Sequence, residues 1–112
     1  HSSEAMRPHD YLIILFAHAT AAVHLHIAWV LWQLKGSPDV LFTLNGLGYL
    51  ALAAALYVDI PALEGRKRLV RYALAGFAAV TLVAWVFVGE RSTLAYADKA
   101  IELALIALLV KP

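Results

Sequence analysis

The stretch Phe16 to Trp32 reads FAHATAAVHLHIAWVLW and sets three histidines, His18, His24 and His26, in a run with no formally charged side chain. A helix needs about 20 mostly apolar residues to cross the hydrocarbon of a bilayer, and this run with its flanks supplies them. In water an imidazole on a helix needs no explanation. In hydrocarbon each ring nitrogen needs a partner inside the protein or in a water-filled cavity, so this helix is expected to face something polar.

The composition supports the membrane reading. Of 112 residues, 62% are hydrophobic and 15% charged, with a mean hydropathy of +0.74. A soluble bundle would carry a polar stripe on every helix, whereas here the charges gather in short segments between long apolar runs. The expected fold is all-α: a polytopic membrane protein forming one domain, an antiparallel four-transmembrane-helix bundle. The spans fall at about 11–34, 41–60, 69–89 and 93–110. Their connections carry the helix breakers: Lys35-Gly36-Ser37-Pro38-Asp39, then Pro61 to Arg68, then Glu90-Arg91-Ser92. Such short links make successive helices antiparallel neighbours.

A net charge of +1 and the lack of a basic stripe argue against nucleic acid as a partner. The absence of cysteine removes disulfides, thiolate metal sites and thiol catalysis. Residues 1–5 precede Met6 and read as an added segment, with MRPHDY as the natural start, so His1 and His9 carry little weight. A cleavable signal peptide is not expected, because the first apolar run, at about 24 residues, is too long for one.

Arginine and lysine set the orientation. With both termini on one side, that side holds Arg7, Arg66, Lys67, Arg68, Arg71 and Lys111, against Lys35, Arg91 and Lys99 on the other. The positive-inside rule then puts both termini in the cytoplasm, with Gly65-Arg66-Lys67-Arg68 as a topology signal at the lipid headgroups. Trp29, Trp32, Trp85 and Tyr96 fall near the outer ends of the spans and Tyr11, Tyr57 and Tyr72 near the inner ends, as interfacial anchors. Small residues recur at helical spacing: Gly48, Ala51 and Ala55; Ala75 and Ala79; Ala97, Ala100, Ala104 and Ala107. These read as packing faces, and with several of them a homo-oligomer is expected.

The candidate site is drawn from side chains the hydrocarbon should not tolerate. Glu102 lies about 13 Å into the fourth span, where an unpaired carboxylate must protonate, pair or meet water. His24 and His26 reach a comparable depth, as does Thr81, with Asn45 a turn shallower. Polar groups from all four helices thus converge in the outer half. Lys99 can pair with Glu102 three residues on, and Asp98 stands four before it. Asp98 and Lys99 lie close enough to the outer surface to be expected as an interfacial pair. His24 follows Thr20 by four and shares its face, while His24 and His26 project nearly oppositely.

His18 and His26 are eight apart, within about 80° of each other and about 12 Å apart along the axis. No two of the three histidines can clamp one metal from a single helix, since same-face spacing is three or four. Neither haem b nor a divalent metal is required by the sequence; either would draw on His18, His24 or His26 and need ligands from another helix or another copy.

These residues suggest a small channel-like or transporter-like protein. Glu102 would accept a proton or cation, His24 or His26 would be its titratable partner, and Asn45 and Thr81 would be neutral hydrogen-bonding groups. A histidine with an ordinary pKa of about 6.5 would make the site sensitive to pH. The rivals are a haem-b electron carrier with histidine axial ligands, and a non-catalytic subunit or assembly protein in which the polar residues only hold helices together. An enzyme is not expected: the serines, Ser2, Ser3, Ser37 and Ser92, lie in tails and loops without a nucleophile motif.

Overall fold

The computed structural model describes residues 6–89 and 91–110. Residues 1–5, Glu90, Lys111 and Pro112 lie outside them, and with them one residue of the last connection and one of the six lysines and arginines counted on the side of the termini. Among the described residues the regular structure is helical: α1 (Pro8–Lys35), α2 (Val40–Tyr57), a short 3-10 turn (Pro61–Leu63), α3 (Lys67–Val88) and α4 (Thr93–Val110).

Each helix starts and stops for a local reason. Pro8 occupies the first turn of α1, where its missing N–H costs nothing, and Asp10 accepts the backbone N–H of Arg7 at 3.1 Å. Gly36 ends α1 in the left-handed region, at φ 77°, and returns its N–H to the carbonyl of Trp32. Asp39 caps α2 by accepting the N–H of Phe42 at 3.0 Å. The exposed carbonyls at the far end of α2 are met by Lys67, whose Nζ donates to Ala55 and Val58 at 2.6 and 2.8 Å. Arg71 serves α4 in the same way, donating to the carbonyls of Leu109 and Leu108 at 2.6 and 3.0 Å and to His9 Nε2 at 2.8 Å.

Three helices, Pro8–Lys35, Val40–Tyr57 and Lys67–Val88, are long and apolar enough to cross a membrane. The fourth expected span, 93–110, is a helix but is not among these three: Asp98, Lys99 and Glu102 fall within about a turn of its 18 residues. The second span also closes early, at Tyr57 rather than residue 60, as the chain turns through Asp59 and Ile60 into Pro61.

The helices meet in cyclic order: α1 packs on α2 and α4, and α3 packs on those same two. Their core is built from Ile13, Ala17 and Ala21 of α1, Tyr49, Ala53 and Leu56 of α2, Val70, Leu74, Ala75 and Ala78 of α3, and Leu105 and Leu109 of α4. Small residues make the α1–α2 contact close. A Cβ on Gly46 would stand 2.7 Å from the Leu25 side chain and 3.1 Å from the carbonyl of Ala21. The expected packing face of α4 turns out differently: Ala97, Ala100 and Ala107 are exposed. The inward face of that helix is Ala95, Asp98, Lys99, Glu102, Leu105 and Leu109.

Candidate functional site

At one end of this core the buried faces change from apolar to polar. Thr20, His24, Asp98, Lys99 and Glu102 are each at most 8% exposed, and the fully buried Tyr49 closes the group from α2. Helical spacing explains the convergence. Thr20 and His24 are one turn apart on the buried side of α1, and Asp98 and Glu102 one turn apart on the buried side of α4.

Every side chain in the group is engaged. Nδ1 of His24 donates to the carbonyl of Thr20 at 2.8 Å. A carbonyl only accepts, so the hydrogen sits on Nδ1, and in the neutral ring Nε2 is a bare lone pair. That nitrogen points at two carboxylates, 3.7 Å from Asp98 Oδ2 and 3.8 Å from Glu102 Oε2. Thr20 Oγ1 donates to Asp98 Oδ1 at 2.5 Å and lies 3.3 Å from Glu102 Oε2. The hydroxyl of Tyr49 donates to Glu102 Oε2 at 2.7 Å. Lys99 Nζ sits 2.7 Å from Glu102 Oε1 and 3.2 Å from Asp98 Oδ2.

Two carboxyl groups and the Lys99 amine thus stand around the His24 ring in an interior where an uncompensated charge is costly. A cation placed between Nε2 and the carboxyl oxygens would be met by all three ligand atoms. His24, Asp98 and Glu102 each offer a ligand atom, all within 4.8 Å of one another. The aromatic surroundings are close: the His24 ring lies 5.8 Å from that of Tyr49 and 5.9 Å from that of Phe42.

Of the residues expected at the site, Glu102, His24 and Lys99 come together. Lys99 and Asp98, expected at an interface, are buried inside the group instead, because they share the inward face of α4 with Glu102. Asn45 and Thr81 pair with each other, Nδ2 donating to Oγ1 at 2.8 Å, and neither bonds to His24 or Glu102; the Asn45 Oδ1 is buried without a hydrogen-bond partner. His26 is exposed on the opposite side of α1. His18 is exposed too, its Nδ1 donating to the carbonyl of Ile14 at 2.8 Å. Tyr49 was missed by sequence reasoning, although a phenol in the middle of an apolar helix needs a partner for its hydroxyl, and that was a usable signal. The distance of Asp98 from the helix end suggests an interfacial place but says nothing of its face.

No curated protein and no solved structure matches the chain. Residues 1–111 match DUF7475, a family of unknown function, and the chain belongs to that family.

Proposed function

We propose that the protein is a multi-pass membrane protein of transporter-like or channel-like type that takes a small cation, a proton or a metal ion, into the group formed by His24, Asp98, Lys99 and Glu102. In this reading the four helices stand antiparallel in the bilayer with both termini cytoplasmic, and α4 spans only because its charges are paired inside. The group then lies in the outer half of the membrane. The observation that carries the proposal is the buried His24 ring, its Nδ1–H held by the Thr20 carbonyl and its Nε2 facing the carboxyl oxygens of Asp98 and Glu102 at 3.7 and 3.8 Å. Two carboxyl groups and an imidazole nitrogen gathered at the meeting of three helices are suited to taking up and releasing a cation. The exposed alanines of α4 support a homo-oligomer, since small residues let membrane helices approach closely.

The test is flux in liposomes loaded with pH-sensitive and metal-sensitive dyes. Wild-type protein should carry a cation, and Glu102→Gln should abolish the flux while the protein still purifies with its helix content intact. Unchanged flux in that variant overturns the proposal. A visible Soret band lost in His18→Phe would place the protein among haem electron carriers instead, because His18, with Nδ1 on a carbonyl, presents Nε2 outward.

A further inference from the structure

We propose that the cation is a divalent first-row transition ion of the zinc, manganese or iron(II) class, held by Nε2 of His24 and one oxygen each of Asp98 and Glu102, with Lys99 as an internal competitor. The inference rests on the reading of this group as a cation site and names its ligand.

The donor geometry comes first. Nε2 stands 3.7 and 3.8 Å from the two carboxylate oxygens. Ligands bound at about 2.0–2.2 Å from one metal lie about 3.0–3.5 Å apart, so Nε2 needs to close by only a few tenths of an ångström on each oxygen, and all three donors already lie within 4.8 Å of one another. What separates this group from a chance gathering of acids is His24. Its ring is buried, its Nδ1–H is engaged, and its other nitrogen is aimed into the group beyond hydrogen-bond reach of either carboxylate.

The outer contacts are those a metal ligand needs. A ligating histidine characteristically donates its second ring N–H to a backbone carbonyl, which fixes the tautomer and orients the ring, and ligating carboxylates are themselves hydrogen-bonded. Here the Thr20 carbonyl holds His24, Thr20 Oγ1 holds Asp98, and Tyr49 holds Glu102. All three ligands are therefore oriented before an ion arrives.

The donor set also selects. One imidazole and two carboxylates, in a chain without cysteine, suit borderline divalent ions. Calcium takes six to eight oxygens and magnesium a near-ideal octahedron of oxygens, and the group offers neither.

Lys99 supplies the reversibility. Its Nζ shares Asp98 Oδ2 with the position an ion would take, at 3.2 Å. Loading requires the ammonium to withdraw from that oxygen, and its return favours release. A permanent structural site would not carry a cation against its own ligands; an exchangeable one gains from it.

Purified full-length protein in detergent, stripped with EDTA, is titrated calorimetrically with Zn2+, Ca2+ and Mg2+ and by absorption with Co2+. Zn2+ and Co2+ should bind with one buried site per chain, and Ca2+ and Mg2+ should not. His24→Gln and Asp98→Asn should weaken Zn2+ by at least about a hundredfold, beyond what loss of an outer contact costs. Lys99→Met should tighten it by about tenfold, and His18→Gln with His26→Gln should leave it unchanged. Because variants in a buried group can fail to fold, wild-type protein with 15N-labelled histidine is titrated as well: Zn2+ should move the ring resonances of His24 and spare those of His18 and His26. Binding that survives His24→Gln, that vanishes with the two exposed histidines, or that leaves the His24 resonances in place overturns the assignment. Glu102-dependent proton flux without Zn2+ binding overturns the metal alone; Zn2+ binding without flux of any cation overturns transport and leaves a metal site.

Discussion

Tyr49 of α2 donates its hydroxyl to Oε2 of Glu102 on α4 at 2.7 Å, joining two helices that lie across the bundle from one another. Both side chains are fully buried. Tyr49→Phe keeps the ring, and its edge-to-face contact with Phe77 at 4.9 Å, while removing the donor. The expected cost is about 1–3 kcal/mol, the usual range for a buried acceptor deprived of its partner. Unfolding in detergent monitored by circular dichroism should show a lower midpoint with unchanged helix content, and an unshifted midpoint would contradict the role given to this bond.

The α1–α2 contact depends on Gly46. Gly46→Ala places a methyl against Leu25 and the Ala21 carbonyl, and backbone cannot yield as a side chain can. A loss of about 1–3 kcal/mol is expected from overpacking, read from the same unfolding curves. Gly76→Ala, where nothing stands within 4 Å of the added carbon, is the matched control and should not destabilise.

Asp39 starts α2, and its carboxyl is held below 3.8, first by the Phe42 N–H and then by Lys35 at 3.0 Å. A carboxyl with a lowered native pKa stabilises the fold above its unfolded value and loses that contribution as pH falls through the native one. Asp39→Ala should therefore cost about 1 kcal/mol at neutral pH. The gap from wild type should narrow below pH 3.8. A gap that stays constant with pH would show that the charge plays no part.

Arg71 should matter more than its half-buried position suggests. Arg71→Met strips the last carbonyls of α4 of their donors, at an expected loss of about 2 kcal/mol. Arg71→Lys should restore only part of it, because one ammonium lacks the fork that reaches Leu108, Leu109 and His9 together. Equal stability of the two variants would argue against the fork.

The two exposed histidines serve as the internal comparison. His18→Phe and His26→Phe should each change stability by no more than about 0.5 kcal/mol and leave flux intact, in contrast to any change at His24. Loss of flux in either would move the site to the outer face of α1.

The helices were legible in the sequence because the breakers stand where the helices end: Gly36 and Asp39 between α1 and α2, Pro61 and Gly65 between α2 and α3. That His24 shares a face with Thr20 and not with His26 followed from spacing along one helix, whereas the burial of that face is set by packing. Spacing could not say which face of α4 points inward. Spacing sets Asp98 and Lys99 beside Glu102, but they look interfacial when counted from the helix end, and only the packing of α4 against α1 turns all three inward. Asn45 and Thr81 were matched to the site by depth alone. They sit on α2 and α3, where Asn45 Nδ2 donates to Thr81 Oγ1, and Thr81 reaches the group only through the hydroxyl of Tyr49.

The inverted character of α4, with charge inside and alanine outside, bears on how the chain is made. A membrane helix with three charges is a poor substrate for insertion as a free segment, at about 2.5–3.5 kcal/mol for each charge near its centre. In the proposed membrane reading, the groups that hydrogen-bond or face the two carboxyl groups, Thr20 and His24 on α1 and Tyr49 on α2, are synthesised earlier and are already in the membrane when α4 leaves the ribosome. The order of helices along the gene would then be part of the folding mechanism. A circular permutant that begins with α4 would present the charges before their partners and should be retained or degraded, even though its finished structure would contain the same contacts.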